Sequence, residues 1–320
     1  MYNVVIIGAG QIGSRHLQSL KSIKSPSNVW VLDNSKDSLE IAAQRYDSVN
    51  VASSNAIVYY TTKMDDLPRS IDVLFITTGS GPRFSVFKTI TSYADVKYII
   101  FEKVLFQNPV HYEETFKILK NKNIKAWVNC NNRTFKFYKD IKYAMPASPI
   151  LMTVSGGNWG LGCNAIHYID LMAYLCDQYE YSVNLAGLDR RVCASKRPGY
   201  KEFFGVMRLD FKDGSQMIIH CNENDTKRLL SISSNIGHIV FDESTMKEWT
   251  TIDNLSNVQQ YNIPYQSQLS ASLVDSILED GICDLPTYEQ SMKLHLPLIE
   301  GLINFMNNEC GCNTDNCPIT

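Results

Sequence analysis

No apolar run in the 320-residue sequence approaches the ~20 residues that span a bilayer, so no membrane partner is expected. Neither sign of charge dominates. The 30 Lys and Arg face 33 Asp and Glu, and a net charge of −3 leaves no electrostatic footprint for nucleic acid. The sequence enters a strand-like run at once, without a basic stretch, short apolar segment and cleavage site. The expected compartment is therefore the cytoplasm. The nine cysteines are odd in number and scattered, and are read as reduced thiols packed as small apolar residues. No metal site is expected. Cys310, Cys312 and Cys317 cluster, but three thiols without a fourth ligand make a poor zinc site, and they are read as part of a mobile tail. His16, His111, His220, His238 and His295 show no ligand-like pairing. Internal repeats and low-complexity linkers are also missing. What remains is a globular composition, 44% hydrophobic and 20% charged, in a chain long enough for two domains.

The densest signal comes first. The β-rich run Val4 to Ile7 ends in Gly8-Ala-Gly10-Gln11-Ile12-Gly13, and a helix-like segment with Ile12, Leu17 and Leu20 on one stripe follows. Gly8 allows a sharp turn out of the strand, Gly10 lets a pyrophosphate approach the backbone, and Gly13 lets helix and strand pack closely. The helix N-terminus at Gln11 and Ile12 offers free N–H groups to the phosphates. A second strand, Val29 to Leu32, ends at Asp33, twenty residues past Gly13, where an acid grips the adenosine ribose diol; Asn34 follows it. A carboxylate there repels a 2′-phosphate, so NAD is expected, with Ser35 and Lys36 close enough to soften the choice towards NADP.

Strands then alternate with helices. Helices read at Ser38 to Tyr46, Val86 to Tyr93 and His111 to Lys120. Strands read at Ile57 to Thr61, Ile71 to Thr78, Lys97 to Lys103 and Lys125 to Cys130. The alternation predicts an α/β Rossmann domain over residues 1–130, a parallel, doubly wound sheet with ligands beyond the carboxyl ends of its strands. Three strand ends therefore matter: Thr77-Thr78 with Arg83 just beyond, Glu102-Lys103, and Asn129 to Arg133.

The pattern changes near residue 135. A helix reads from Phe135 to Met145, a strand from Ile150 to Ser155, a glycine-rich loop from Gly156 to Gly162 and a helix from Asn164 to Asp177. Strand-like runs follow at Ser182 to Leu188, Phe203 to Phe211, Gln216 to Asn222, Leu229 to Asn235 and His238 to Asp242. Two closing helices run from Gln266 to Glu279 and from Tyr288 to Asn307. Residues 131–320 are expected to form an α+β domain with a large, mostly antiparallel open sheet.

His167 follows the glycine-rich loop on its helix, with Cys163, Asn164 and Asp170 near the same face. A histidine can take a hydroxyl proton near neutral pH. Lys103 ends a parallel strand, and beside an oxidised nicotinamide like-charge repulsion would lower its pKa and suit it to proton transfer. Asn158 and Trp159 either bond to and stack on a sugar or base, or cap the second domain's core. Arg190, Arg191, Lys196, Arg197 and Lys201 form either a solvated loop or a grip for the diphosphate of an activated sugar.

Taken together, Gly8-x-Gly10-x-x-Gly13-x-x-His16, Thr77-Thr78, Glu102-Lys103, Asn131-Asn132-Arg133, His167-x-x-Asp170 and Leu285-Pro286-Thr287 resemble the Gfo/Idh/MocA family, along nearly the whole chain. The resemblance implies NAD or NADP, hydride transfer at a sugar or cyclitol carbon, and a homodimer or homotetramer assembled through the C-terminal sheet. Lys103 corresponds to the lysine of the family's Glu-Lys-Pro motif, with Val104 in place of the proline. His167 corresponds to the histidine of its His-x-x-Asp motif, and Asn131 and Arg133 to its Asn-Arg-Arg segment, with Asn132 in place of one arginine. Cys163 stands where many members carry an aspartate for a substrate hydroxyl. A thiol is a poor acceptor, Asn164 could take that contact, and a buried thiol is favoured over a nucleophile.

The cofactor residues expected from this are Gly8, Gly10, Gln11, Ile12, Gly13, Asp33, Asn34, Thr77, Thr78, Arg83, Glu102 and Lys103. The substrate residues are Lys103, Asn131, Arg133, Asn158, Trp159, Cys163, Asn164 and His167, with Lys103 and His167 moving the proton. The function expected is an NAD(P)-dependent sugar oxidoreductase with substrate between the domains, the substrate being a sugar derivative such as a nucleotide-activated sugar. The rivals are a free sugar, inositol or imine as substrate, or a dinucleotide-binding sensor without turnover.

Overall fold

A computed structural model describes residues 1–144 and 149–320. The first half contains β1 (Tyr2–Ile7), α1 (Gln11–Leu20), β2 (Ser27–Leu32), α2 (Lys36–Asp47), β3 (Ala56–Thr61), β4 (Ser70–Ile76), α3 (Ser80–Tyr93), β5 (Asp95–Phe101), α4 (Val110–Asn121) and β6 (Lys125–Val128). Next come α5 (Lys136–Ala144), β7 (Leu151–Gly157), α6 (Leu161–Cys176), β8 (Tyr181–Leu188), β9 (Cys193–Ala194), β10 (Lys201–Glu202), β11 (Gly205–Phe211) and β12 (Gln216–Asn222). The chain closes with β13 (Leu229–Ser234), β14 (Gly237–Asp242), β15 (Lys247–Ile252), β16 (Leu255–Gln260), α7 (Ser270–Asp280) and α8 (Tyr288–Glu309). Two compact units result. The first is built from Met1–Phe106, Glu113–Asn129 and Pro264–Tyr288, and the second from Gln107–Tyr112, Cys130–Ile263 and Glu289–Thr320.

The first unit is a six-stranded sheet in the order β3-β2-β1-β4-β5-β6, parallel throughout. A parallel sheet is covered on both faces, so its strands read as continuous apolar runs; Val4, Val5 and Ile6 are all fully buried. Val4, Ile6, Val29, Val31, Val73 and Phe75 form one core with Leu17 and Leu20 of α1, Leu39 and Ala42 of α2, and Val274 and Ile277 of α7. Each such buried side chain contributes about 1.5–3 kcal/mol relative to exposure. The order reverses between β1 and β4, which creates the crevice where doubly wound sheets bind ligands.

The second unit holds an eight-stranded sheet in the order β16-β15-β14-β13-β7-β12-β11-β8. Its pairs are antiparallel except β7 with β12. Burial alternates along the strands, as a half-solvated sheet requires: Met152, Val154, Met217 and Ile219 are covered, and Leu151 and Ile218 face outwards. Helix α6 is buried almost all round. The expected α/β unit followed by a mostly antiparallel sheet is the architecture observed.

Several boundaries differ from expectation. Helix α3 begins at Ser80 rather than Val86, and α6 at Leu161 rather than Asn164. The strand expected from Phe203 begins at Gly205, and the helix expected from Gln266 is a 3-10 turn, Gln266–Gln268, before α7. The Met145 end of the helix expected from Phe135 lies outside the described residues. The β15–β16 hairpin was not foreseen, because both strands are largely polar; they turn at Asp253 and Asn254, both at positive φ. The expected mobile tail is instead packed. Cys317 and Ile319 are fully buried, the Cys317 N–H donates to Gln107 O (2.9 Å), and the Lys201 N–H donates to Pro318 O (2.7 Å). Among the described residues no helix is long and apolar enough to cross a membrane.

Candidate functional site

In the first unit the turn out of β1 is built as its glycines require. Gly8 sits at φ +103°, a left-handed conformation that disfavours a Cβ. A Cβ on Gly13 would lie 1.8 Å from Gly8 O, so close helix–strand packing depends on this glycine. A Cβ on Gly10 would meet nothing within 4 Å, leaving open space where a phosphate would approach. Helix α1 has no side-chain cap and no acid in its first turn, so the N–H groups at Gln11 and Ile12 are left for an anion. Asp33 stands beside this turn. Its Oδ2 accepts from the Ala9 N–H (2.6 Å) and its Oδ1 from the Ser35 N–H (2.8 Å), which fixes the carboxylate at the end of β2; Asn34 next to it is exposed.

Thr77 ties β4 to the turn, its Oγ1 donating to Gly8 O (2.6 Å) and Ile7 O (2.9 Å). Thr78 Oγ1 is buried with no hydrogen-bond partner among the described residues, a polar atom that a ligand at this strand end would satisfy. The open space at Gly10, the uncapped helix, the fixed Asp33 and the orphaned Thr78 hydroxyl all fit a dinucleotide. Gly10, Gln11, Ile12, Asp33 and Thr78 would hold it.

Arg83 corrects an expectation. It is 1% exposed, and its guanidinium donates to the carbonyls of Thr78, Val104 and Leu105 (3.0 Å for the last), bracing the turn after Lys103. Glu102 is also buried. Its Oε1 accepts from His16 Nε2 (2.8 Å) and from Asn129 Nδ2 (2.6 Å). Burial alone would raise the Glu102 pKa, but His16, Asn129 and Lys103 together hold it below the usual carboxylate value. Lys103 is half-buried, and the Lys103–Val104 peptide is cis. His16, Asn129, Gln266 and Ser270 were not foreseen as a group, since Ser270 lies 254 residues from the histidine it contacts.

In the second unit, Asn164 and His167 are the two partly exposed residues of the first ten in α6, one turn apart on the same face. The turn Asn131–Thr134 lies against them: Asn132 Nδ2 donates to His167 O (3.5 Å), and Asn131 is half-exposed beside it. Asn164 and His167 therefore share one partly exposed face of α6, with the Asn131–Thr134 turn against that helix.

Three other expected contact residues are turned to structural work. Arg133 is 5% exposed, holds Asp170 through Nε (2.8 Å) and Nη2 (2.7 Å), and lies over the rings of Tyr174 and Tyr179. Burial pushes the Asp170 carboxyl up to about 6 against the pull of Arg133. Cys163 is buried, and its N–H (3.2 Å) and thiol both donate to Glu202, whose carboxylate also accepts the Gly162 N–H (2.7 Å). Glu202 thus caps α6 from a distant strand, which is why no local cap marked the helix start. Trp159 donates Nε1–H to His220 O (3.2 Å) and sets its ring edge-on to Tyr168, packing on its own unit.

Asn158 Nδ2 donates to Asp225 (2.8 Å), and Asn158 O accepts from Lys196 Nζ (3.2 Å). Of the basic loop, Arg190 pairs with Glu309 and Arg191 with Glu223, while Lys196 is carried to the glycine-rich loop before α6.

Comparison with known proteins bears on the fold. Residues 2–130 match the Gfo/Idh/MocA oxidoreductase family, NAD-binding Rossmann fold. No curated protein matches the sequence. Among solved structures, an oxidoreductase from Agrobacterium radiobacter in complex with NAD+, L-tartaric acid and magnesium is 13% identical over 96% of both chains, with a TM-score of 0.73. The UDP-N-acetylglucosamine 3-dehydrogenase GnnA from Acidithiobacillus ferrooxidans is 12% identical, covering 93% of this chain and 96% of its own (TM-score 0.72). A super-repressor mutant of Gal80p from Saccharomyces cerevisiae is 14% identical over 95% of both (TM-score 0.69). At these identities the likeness is one of fold. The family match is confined to residues 2–130, which are thus similar to the NAD-binding Rossmann part of that oxidoreductase family.

Proposed function

We propose that this oxidoreductase moves a hydride between nicotinamide and a hydroxyl-bearing carbon of a nucleotide-linked sugar. The observation that carries the substrate class is Lys196, drawn out of the basic loop onto Asn158 beside the His167 helix. An exposed ammonium at that position suits a diphosphate, and a UDP-sugar dehydrogenase shares the fold. NAD, when bound, supplies the hydride acceptor at its nicotinamide ring. Residues 1–130 are assigned to the dinucleotide, and residues 131–320 to the substrate and to self-association through the open sheet face.

Lys103 at its Nζ and His167 at a ring nitrogen are the groups assigned to the hydroxyl proton. Asn131 and Asn164 are assigned to substrate hydroxyls, with Asn164 in place of the acceptor that Cys163 cannot be, because its thiol is given to Glu202. The test is Lys196→Ala assayed with UDP-sugars and with free sugars. The expected result is a KM raised about tenfold for UDP-sugars, one lost phosphate contact of about 1.5–3 kcal/mol, with kcat little changed. Turnover confined to free polyols would sink the assignment. The fold shared with Gal80p, a repressor, keeps a sensor without turnover as a second reading.

A further inference from the structure

The polar groups next to Lys103 in the chain form a closed ring in which two chains of donors start at Asn129 and converge on Glu102. Asn129 Nδ2 donates both to Glu102 Oε1 (2.6 Å) and to Gln266 Oε1 (2.9 Å). Gln266 Nε2 donates to Ser270 Oγ (3.2 Å). Ser270 Oγ contacts His16 Nδ1 (2.7 Å), and His16 Nε2 contacts Glu102 Oε1 (2.8 Å). A carboxylate oxygen only accepts, so His16 carries a proton on Nε2; with the ring neutral, Nδ1 accepts a hydrogen bond from the Ser270 hydroxyl. Reversing the Asn129 amide would set its oxygen against the Glu102 carboxylate, so that orientation is fixed too. Both chains of donors therefore end on one buried oxygen of Glu102, the residue before Lys103. His16, Glu102, Asn129 and Ser270 are each 4% exposed or less.

We propose that this ring is a positioning device acting on Lys103: it holds Glu102 ionised, and the buried anion favours the charged form of the lysine next to it in the chain at the end of β5. His16 and Ser270 are then positioning residues, acting on the reaction only through Glu102 and Lys103. The proposal rests on Lys103 being a proton-handling group. The groups that meet at the ring come from α1 (His16), the end of β5 (Glu102, Lys103), the end of β6 (Asn129), the Gln266–Gln268 turn and α7 (Ser270), with the Phe75 ring of β4 4.8 Å from His16. Of these, only His16, Glu102 and Lys103 ionise. A buried carboxylate with two donors keeps its charge; without the imidazole donor it takes up a proton, and the neighbouring ammonium loses its counter-charge. The lowered Glu102 pKa, to which Lys103 contributes, agrees with the geometry.

The test reads Lys103 without any substrate. Reductive methylation with 13C-formaldehyde labels lysines as dimethylamines whose methyl resonances follow protonation, and Lys103→Arg identifies the Lys103 signal. In the full chain, Glu102→Gln and His16→Phe are expected to lower the Lys103 titration midpoint by about one unit, the scale of losing one nearby opposite charge. His16→Gln, which still presents an N–H, is expected to leave it near wild type, and Ser270→Ala to shift it part of the way. NAD affinity and near-ultraviolet circular dichroism unchanged from wild type show the fold intact; should His16→Phe fail to fold, Glu102→Gln and Ser270→Ala carry the comparison. A Lys103 midpoint unmoved in Glu102→Gln overturns the proposal. Full turnover in Lys103→Ala would instead overturn the catalytic assignment and leave the measured shift standing.

Discussion

Alanine at Gly10 and alanine at Gly13 perturb one turn in two different ways. The Gly13 Cβ would sit 1.8 Å from Gly8 O and 2.7 Å from Thr77 Oγ1, so helix α1 must move off the sheet. Overpacking of this kind costs about 1–3 kcal/mol or more. Gly10 has φ −61° and ψ −163°, which alanine adopts freely, and its Cβ would have no neighbour within 4 Å. The fold should therefore keep its stability or gain about 0.4–1 kcal/mol from a stiffer unfolded chain. A pyrophosphate lying on that backbone would meet the new methyl group. Losing one charge-assisted hydrogen bond costs about 1.5–3 kcal/mol, or roughly 10- to 100-fold in affinity. Urea denaturation and NADH fluorescence titration separate the two effects: Gly13→Ala lowers stability, whereas Gly10→Ala spares stability and loses cofactor. A folded Gly10→Ala that binds NADH as tightly as wild type would refute the placement of the phosphates.

Asp170→Asn strands the buried Arg133 charge and should cost about 3–5 kcal/mol in urea denaturation, whereas exposed pairs such as Lys136–Asp140 should cost little. Lys103→Ala should keep NAD binding near normal while turnover falls at least ~10²-fold, the scale for a lost general base. Because the Glu102 pKa is depressed in the fold, its contribution to stability is full above the ordinary carboxylate value and is lost as pH falls through the folded value. The stability gap between wild type and Glu102→Gln should accordingly narrow on acidification. Ile218 and Leu151 face outwards from the centre of the open sheet, so Ile218→Asp should shift a dimer or tetramer towards monomer by light scattering; an unchanged mass would place self-association elsewhere.

The parallel sheet was legible because its signals are local. The Val4–Ile7 run, the glycine spacing and Asp33 lie within about thirty residues, and each has one physical use. The shared face of Asn164 and His167 follows from helical spacing in the same local way. Residues whose partners lie far off in the sequence were misread. Arg83 and Arg133 look like ligand grips until buried carbonyls and Asp170 take their donors. Glu102 looks like a cofactor residue until His16 and Asn129 claim it. The start of α6 carries no local cap because Glu202, about forty residues on, supplies one. The tail was read as mobile because its cysteines have no local partner, but Cys317 and Ile319 are buried by packing that no spacing reveals. Lys196 was one of five equivalent cations until acids took Arg190 and Arg191.

The most direct measurement is mass spectrometry of the small molecules released when the purified protein is denatured, followed by titration of the intact protein with NAD and NADP. NAD(H) released, or bound on titration in preference to NADP, is the predicted result, and a co-released sugar nucleotide would carry the substrate assignment with it. Release of no dinucleotide, and no binding of either on titration, would contradict the account at its centre.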